Sequence, residues 1–285
     1  MSFWEARFLW QDPMLAALIA GALLGYLGFF VVLRRIAFMS AALSQVSGLG
    51  VAVAFWVGSF AGIAPHEATP FWAAPTTYAF VFAGVGAVFM SLPGKSKRVT
   101  PESVVALAYL AASALVIVVL SRPEIAQEAH EIGDLLFGNA VVVQREDLVR
   151  LAIAAAITFV LHTLFFKEFL FSSFDADTAR VSGVPVRAMD LTLHLSLALC
   201  VAMATRAIGA LPVFSFLVLP ASAALLFSER LKVVLIASFA IAIFCACFGY
   251  YLSFTLALPT GSVMVALAVA VWLIAALKRA VERFR

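Results

Sequence analysis

Long apolar runs separated by short polar stretches dominate the chain. Each run is close to the length of about 20 residues that a helix needs to cross a bilayer, and none alternates as a strand would. The pattern predicts an all-α fold with eight or nine membrane-spanning helices, the number depending on whether 191–226 crosses once or twice. The runs lie near 14–33, 39–58, 75–93, 103–120, 148–166, 191–206, 207–226, 233–255 and 261–278.

The composition indicates that lipid is the solvent for most of the chain. Hydrophobic residues make up 64% and charged residues 12% of 285 residues, and the mean hydropathy is +1.07. A single globule cannot bury so many apolar side chains. The net charge of +3 is too small to indicate nucleic-acid binding. We therefore predict one polytopic membrane domain over 1–285.

Basic residues in the loops between runs predict the orientation of the spans, because positively charged loops stay on the cytoplasmic side. Nine spans, with the amino terminus outside and the carboxyl terminus in the cytoplasm, place every basic loop on that side. Eight spans would place some of them outside. The basic stretches are Arg34 and Arg35, 95–98, 175–187, 230–232 and 278–285.

A polar stretch, 174–187, interrupts the apolar pattern after the fifth run. It predicts a short amphiphilic helix that ends at Gly183 and Pro185, is too polar to enter lipid and has no core of its own. Such a helix indicates a partner protein. The alternative is an ordinary solvated loop.

The charged residues near the runs bear on how transport could be driven. No carboxylate lies in the middle of a run, which disfavours a carrier driven by protons or sodium ions. Asp190 and Glu102 begin runs, where a carboxylate favours a helix amino terminus, and Arg206 lies at a predicted external end, where it can snorkel. No Gly-x-x-x-x-Gly-Lys-Ser/Thr loop is present, so ATP hydrolysis is expected on a separate subunit.

Helix-breaking residues predict an interruption in the run 207–226. Gly209 and Pro212 come early in it, and Pro220 follows. Broken helices often lie beside the path of a transporter, so these residues are candidates for a gate or hinge. A kink that serves only packing is the alternative.

The sequence resembles the permeases of zinc/manganese ABC importers through an ordered series of motifs that spans almost the whole chain. The motifs are 34–52 (RRIAFMSAALSQVSGLGVA), 136–139 (LFGN), 145–148 (REDL), 175–180 (DADTAR) followed by Gly183 and Val184, 209–211 (GAL), 217–221 (LVLPA) and 258–261 (LPTG).

The resemblance implies a homodimeric permease in the bacterial inner membrane that itself binds no cofactor and has no catalytic residue. It implies two cytoplasmic ATPase subunits, which bind ATP and magnesium, and an extracytoplasmic solute-binding protein. It also implies that a coupling helix within 172–188 docks on the ATPase. The residues that it assigns to this coupling are Asp175, Asp177, Ala179, Arg180, Gly183 and Val184.

The chain departs from the family at the positions that the resemblance assigns to metal binding. Metal permeases of this type carry an aspartate and, four residues later, a histidine in the second span, and these positions match Ala41 and Gln45. A further aspartate matches Ala257. Alanine coordinates nothing and glutamine offers only an amide oxygen. Gln45, Ser44, Ser47, Ala41 and Ala257 are therefore candidates for lining a path that lacks the usual ligands.

Other donors remain as weak metal candidates. His194 and Cys200 are six residues apart and do not share a helix face, and a histidine there can instead pair with a backbone carbonyl. His130 lies in a predicted external loop. The remaining possible donors are His162, Met39, Met203, Ser44 and Ser47.

These observations together predict a permease that moves a divalent metal, or a metal held in a chelate, by alternating access. A non-transporting membrane scaffold or assembly protein that keeps the permease fold is the main rival hypothesis. A secondary carrier is a weaker one.

Overall fold

The structure is a computed structural model that describes residues 7–61, 74–91, 100–123 and 143–283. Eleven α-helices and no strands lie within these ranges. The helices are α1 (Arg7–Leu33), α2 (Ala37–Phe60), α3 (Pro75–Ser91), α4 (Pro101–Leu120), α5 (Arg145–Leu164), α6 (Phe166–Phe174), α7 (Ala176–Val181), α8 (Val186–Ile208), α9 (Ala210–Phe227), α10 (Leu231–Leu256) and α11 (Thr260–Arg283).

The all-α membrane fold predicted from the apolar runs is confirmed. Eight of the described helices are long and apolar enough to cross a membrane, and α3, with 17 residues, is a shorter apolar helix. The run 191–226 forms two separate helices, α8 and α9, which divide at Gly209. A helix thus lies at each of the nine predicted positions.

Helices α2 and α3 pack antiparallel and very closely. A Cβ added to Gly50 of α2 would lie 2.5 Å from the carbonyl oxygen of Tyr78, whereas Gly86, further along α3, faces Val46, which is earlier in α2. Small residues allow this approach, as is common where membrane helices pack together.

Helices α1 and α10 also run antiparallel in close contact. Gly21 faces Ala246 and Gly25 faces Ala242, so position increases along one helix as it decreases along the other. The Ser238 hydroxyl donates a hydrogen bond of 2.7 Å to the Gly25 carbonyl oxygen. This contact fixes the beginning of α10 beside the end of α1.

The described basic junctions gather at one end of the bundle, which we call the basic end. Arg34, just after α1, contacts Asp190 in the second turn of α8, and Arg279 of α11 pairs with Glu229 between α9 and α10. The described junctions therefore share one side, as the predicted topology requires. Which side faces the cytoplasm stays a prediction, and 95–98 lies outside the described residues.

The opposite end carries the other helix termini. Arg122, just after α4, lies over the ring of Trp56 near the end of α2, with 6.0 Å between its guanidinium carbon and the ring centre. At the α10–α11 turn, the Ser253 hydroxyl donates to the Leu258 carbonyl oxygen at 2.6 Å. Much of the predicted external loops, 62–73 and 124–142, lies outside the described residues.

Burial divides the helices into an inner and an outer group. Side chains of α1, α2, α8 and α9 form most of the buried core, among them Leu27, Leu43, Leu197 and Phe216. Helices α4, α5, α10 and α11 expose large apolar side chains. The exposed side chains include Leu107, Leu110, Ile117, Ile153, Ile157, Val160, Ile236, Phe244, Ile274 and Leu277. This apolar outer surface suits contact with lipid.

The interruption predicted within the run 207–226 is wrong at both prolines. Helix α9 continues through Pro220, and the break lies at Gly209, whose φ of 90° and ψ of 159° favour glycine. Pro220 is buried, as is Pro212 in the first turn of α9. Neighbouring helices and local adjustments commonly accommodate proline inside a membrane helix, so its ring does not end α9.

Alanine at Gly50 is expected to lower the free energy of unfolding by about 1–3 kcal/mol, because the new methyl group would meet the α3 backbone. Gly84 of α3 has no atom within 4 Å of an added Cβ, so Gly84→Ala is the matched control. It should be neutral or stabilising by up to about 1 kcal/mol, since glycine weakens a helix interior. Thermal unfolding of the detergent-solubilised chain measures both, and equal effects would contradict the close α2–α3 packing.

Candidate coupling site and transport path

The polar stretch forms a short helix with a defined cap at each end, as predicted. At the start of α7, the Asp175 carboxylate accepts hydrogen bonds from the Thr178 backbone N–H at 2.9 Å and from the Thr178 hydroxyl at 2.6 Å. These bonds hold the pKa of the Asp175 carboxyl below its ordinary value. The cap is therefore fully formed at neutral pH, where the carboxylate is ionised, and is lost only as the pH falls through the lowered pKa.

The end of α7 is a glycine turn. The Gly183 N–H donates to the Arg180 carbonyl at 3.2 Å, and the Val184 N–H donates to the Ala179 carbonyl at 3.0 Å. Gly183 has a φ of 85°, the left-handed conformation that this turn requires. Because both ends are closed by local bonds, α7 holds its shape as a separate element between α6 and α8.

The buried side chain of Ala179 anchors α7 on the helix bundle. Ala179 is fully buried, whereas Val181 is 90% exposed and Asp177 and Arg180 form an exposed pair at 3.1 Å. The helix therefore presents both polar and apolar groups outwards, with Phe174 exposed just before it. The stretch is thus a helix with a fixed, partly apolar surface, and its docking on an ATPase stays a prediction.

Arg34 ties the α1–α2 junction to the helices on both sides of α7. Its Nε donates to the Ser173 hydroxyl at 2.7 Å, and one terminal nitrogen donates to the Ser172 hydroxyl at 2.8 Å. The other terminal nitrogen binds the Asp190 carboxylate of α8. The prediction that Asp190 serves the amino terminus of its helix is wrong, because Asp190 lies in the second turn and pairs with Arg34 instead.

The predicted path residues of α2 lie near the basic end. Ala41 and Gln45 are four residues apart on one helix face, where Ala41 is buried and Gln45 is partly buried. The Ser44 hydroxyl donates to the Ser40 carbonyl of its own helix at 3.0 Å. The Ser47 hydroxyl is buried without a hydrogen-bond partner in the described structure.

Ala257 lies at the opposite end of the bundle, so this chain does not bring it together with Ala41 and Gln45. It follows α10 and adopts a left-handed conformation with a φ of 52°. The resemblance assigned these three positions to metal binding, yet in this chain they lie at two levels of the bundle. Their role in lining a path stays a prediction.

The weak metal candidates do not form a site. The Nδ1 atom of His194 lies 2.5 Å from the Asp190 carbonyl oxygen, which bears out the backbone pairing weighed for this histidine. Cys200 is fully buried and contacts the Thr158 hydroxyl at 3.1 Å. Within the described ranges, no group of three or more His, Cys, Asp or Glu residues could hold a metal ion. His130 lies outside these ranges.

His162, a further possible donor, is enclosed by aromatic rings. It is fully buried, stacks on Phe169 with ring centres 4.4 Å apart, and has Tyr26 and Phe30 within 6 Å. Both of its ring nitrogens lack a hydrogen-bond partner in the described structure. These neighbours offer packing and no second ligand.

A match to a protein-family model identifies the family of the chain and its general role. The model described as the ABC 3 transport family matches residues 7–279, almost the full length of the chain. The chain belongs to the ABC 3 transport family. It is accordingly a multi-pass membrane permease of the ABC transporter type, which confirms the resemblance seen in the sequence.

Individual relatives agree with the family match. The chain is 28% identical over 266 residues to the manganese transport system membrane protein MntC of Listeria monocytogenes, covering 93% of this chain and 89% of that protein. It is 27% identical over 256 residues to the chelated iron transport system membrane protein YfeC of Yersinia pestis, covering 90% and 81%. The solved structure of PsaBC from Streptococcus pneumoniae in complex with Fab has a TM-score of 0.79 at 24% identity, covering 93% and 90%, and shows the shared fold.

Sequence reasoning missed the charge network at the opposite end of this ABC 3 permease. Asp147, at the start of α5, is 8% exposed at its side chain and binds Arg206 of α8 at 3.2 Å and Arg150 at 3.2 Å. The prediction that Arg206 snorkels is wrong, since its side chain is only 17% exposed and pairs with Asp147. Arg206 was expected at an external end, and Asp147 directly precedes the apolar run that follows a predicted external loop. Combining that topology with their opposite charges could have paired them.

Proposed function

We propose that this ABC 3 family chain is the membrane subunit of an ATP-driven importer for a divalent metal ion, free or held in a chelate. The observation that carries the proposal is α7, a helix capped at both ends, seated by Ala179 and exposed on its outer side at the basic end. The sequence has no phosphate-binding loop, so ATP hydrolysis is expected on a separate subunit, and α7 is a surface on which an ATPase can act.

The proposal includes the partners and the orientation of the chain. Two ATPase subunits, which bind ATP and magnesium, dock on the α7 surfaces of two identical permease chains in the bacterial inner membrane. The basic end faces the cytoplasm, together with the carboxyl terminus, and the amino terminus lies outside, where a solute-binding protein delivers the substrate. Positive junctions at one end support this orientation.

In the proposed mechanism, transport results from movement of the inner helices, with Gly209 as a hinge. ATP-driven closure of the two ATPases displaces α7, and the start of α2 and the Gly209 break respond by opening the path alternately to each side. Gly209 suits a hinge because its backbone already has a positive φ, which glycine adopts without steric strain. Pro212 and Pro220, as buried parts of α9, move with that helix.

The choice of substrate depends on the metal ligands that are missing at Ala41 and Gln45. The metal names of relatives such as MntC and YfeC support a divalent metal as the cargo. Ala41 and Gln45 leave the start of α2 neutral, which suits a metal already satisfied by a chelator or a weakly held ion. The same substitutions favour the rival hypothesis of a non-transporting scaffold, so the test has to separate the two.

Uptake into vesicles that contain the chain with its ATPase subunits, with the solute-binding protein supplied on the outside, tests the proposal. Manganese, zinc and iron(II) are offered outside as free ions and as chelates, with and without ATP enclosed in the vesicles. ATP-dependent accumulation of any of them supports an importer, and the form accumulated identifies the cargo. The Ala41→Asp, Gln45→His double variant should shift uptake towards free ions. No accumulation of any form, despite capture of the ATPase, would favour the scaffold.

A further inference from the structure

Arg34 lies beside the proposed docking helix, between the end of α6 and α8, and the coupling mechanism proposed above gives it no role. All three guanidinium nitrogens are engaged: two bind hydroxyls at the end of α6, and the third binds Asp190 in α8. The side chain is only 10% exposed. Because α7 connects α6 to α8, one side chain holds the supports on both sides of the proposed docking helix.

The junction that carries Arg34 is short and closed by backbone bonds. The Arg35 N–H donates to the Val32 carbonyl at 3.1 Å, and the Ile36 N–H donates to the Val31 carbonyl at 3.0 Å. Arg35 takes the left-handed conformation, with a φ of 59°. This is the same type of turn that ends α7, here with arginine where glycine is usual. Helix α2 begins directly afterwards, so it has little freedom to move independently of Arg34.

The path residues of α2 lie within its first turns. Ala41, Ser44 and Gln45 follow the start of α2 at Ala37 by four to eight residues, or about 6–12 Å along the helix axis. A displacement of α6 and α8 therefore reaches these residues through one side chain and a three-residue corner.

We infer that Arg34 is a positioning residue that transmits movement of α7 to the start of α2, and this inference rests on the proposed function. Arginine suits the task because its rigid, planar fork binds three acceptors at fixed angles. Lysine carries the same charge on a flexible stem with one nitrogen, so it can keep the contact with Asp190 but cannot hold both serines as well.

Three variants separate transmission from folding. Arg34→Lys and the double variant Ser172→Ala, Ser173→Ala each remove the α6 contacts while leaving a positive charge beside Asp190. The serine hydroxyls also bond back to the Phe169 carbonyl within α6, so their loss leaves the helix backbone intact. Arg35→Lys is the matched control, because Arg35 is the adjacent arginine and its side chain is exposed.

Two readouts are taken on the full chain with a co-expressed ATPase subunit. The first is metal accumulated per ATP hydrolysed in vesicles. The second is hydrogen exchange of the α2 amides with and without the bound ATPase, which does not depend on the identity of the cargo. Melting temperature and ATPase capture are recorded for every variant.

We expect both α6-contact variants to fold and to capture the ATPase, with melting temperatures somewhat lowered because the buried side chain loses hydrogen-bond partners. They should lose at least about fivefold in metal accumulated per ATP, the lower range of typical coupling between sites. Binding of the ATPase should alter exchange in α2 of the unaltered chain and of Arg35→Lys, and should no longer do so in the two variants. Normal coupling in both variants would overturn the inference. So would a loss of accumulation that merely follows a loss of ATPase capture.

The proposed function and the inference about Arg34 can be disproved independently of each other. If the unaltered chain accumulates no metal but the ATPase still alters exchange in α2 through Arg34, the proposed cargo is wrong and the inference stands. If accumulation is normal and the variants behave as Arg35→Lys does, the proposed function stands and the inference is wrong.

Discussion

Glutamate in place of Ala179 is expected to abolish capture of the ATPase while the chain still inserts in the membrane. Ala179 is fully buried beneath α7, so the substitution places a larger, charged side chain where there is no room and no partner. Burial of an unpaired charge costs several kcal/mol, and the least costly response is for α7 to leave its seat. Loss of the docking geometry should lower ATPase capture more than tenfold, a change equivalent to about 1.4 kcal/mol.

Capture in detergent, followed by quantification of the co-purified ATPase, measures this effect. Ala280→Glu is the control, since it makes the same chemical change at an exposed position near the end of α11, outside the coupling segment. A carboxylate there lies beside the basic Lys278 and Arg279 and should leave capture unchanged. If Ala179→Glu captures as much ATPase as Ala280→Glu does, α7 is not the surface on which the ATPase acts.

Removal of the Asp147 carboxylate is expected to cause a large loss of stability. Asp147→Ala leaves Arg206 buried without its ion-pair partner and removes a contact of Arg150. Breaking a buried pair by removing one partner costs about 3–5 kcal/mol, because the remaining charge is left uncompensated. Thermal unfolding of the detergent-solubilised chain should therefore show a marked decrease in melting temperature.

Glu146→Gln provides the matched control for Asp147→Ala. Glu146 pairs with Arg150 at 3.0 Å, but its side chain is 76% exposed, and such a pair contributes about 0–1 kcal/mol. The double variant Asp147→Ala, Arg206→Leu should recover part of the loss, because it also removes the stranded charge. Equal melting temperatures for Asp147→Ala and Glu146→Gln would show that the buried position of Asp147 does not increase its contribution to stability.

Local features of this permease could be predicted from its sequence because they depend on neighbouring residues. The spans follow from the length of the apolar runs, and the end of α7 follows from Gly183, which takes the conformation that the turn needs. Asp175 begins the same helix as a cap. In each case the structure is decided within a few residues, so composition and spacing are enough.

The contacts that connect distant parts of the chain could not be predicted in the same way. Arg34 was assigned only to topology, yet its acceptors lie 138 to 156 residues away. Arg206 and Asp147 are 59 residues apart. Pro212 and Pro220 were expected, with Gly209, to interrupt the run 207–226, but neighbouring helices accommodate both prolines within α9. These outcomes depend on how the helices assemble, which a single sequence does not specify.

Labelling from the two sides of the membrane tests the central claim most directly. Arg180 of α7 is exposed, so Arg180→Cys offers a reactive thiol in a chain whose Cys200, Cys245 and Cys247 have been replaced by alanine. A membrane-impermeant maleimide should fail to label it in intact cells and should label it in inside-out vesicles. Labelling in intact cells would place α7 outside, where no cytoplasmic ATPase could reach it, and would contradict the account.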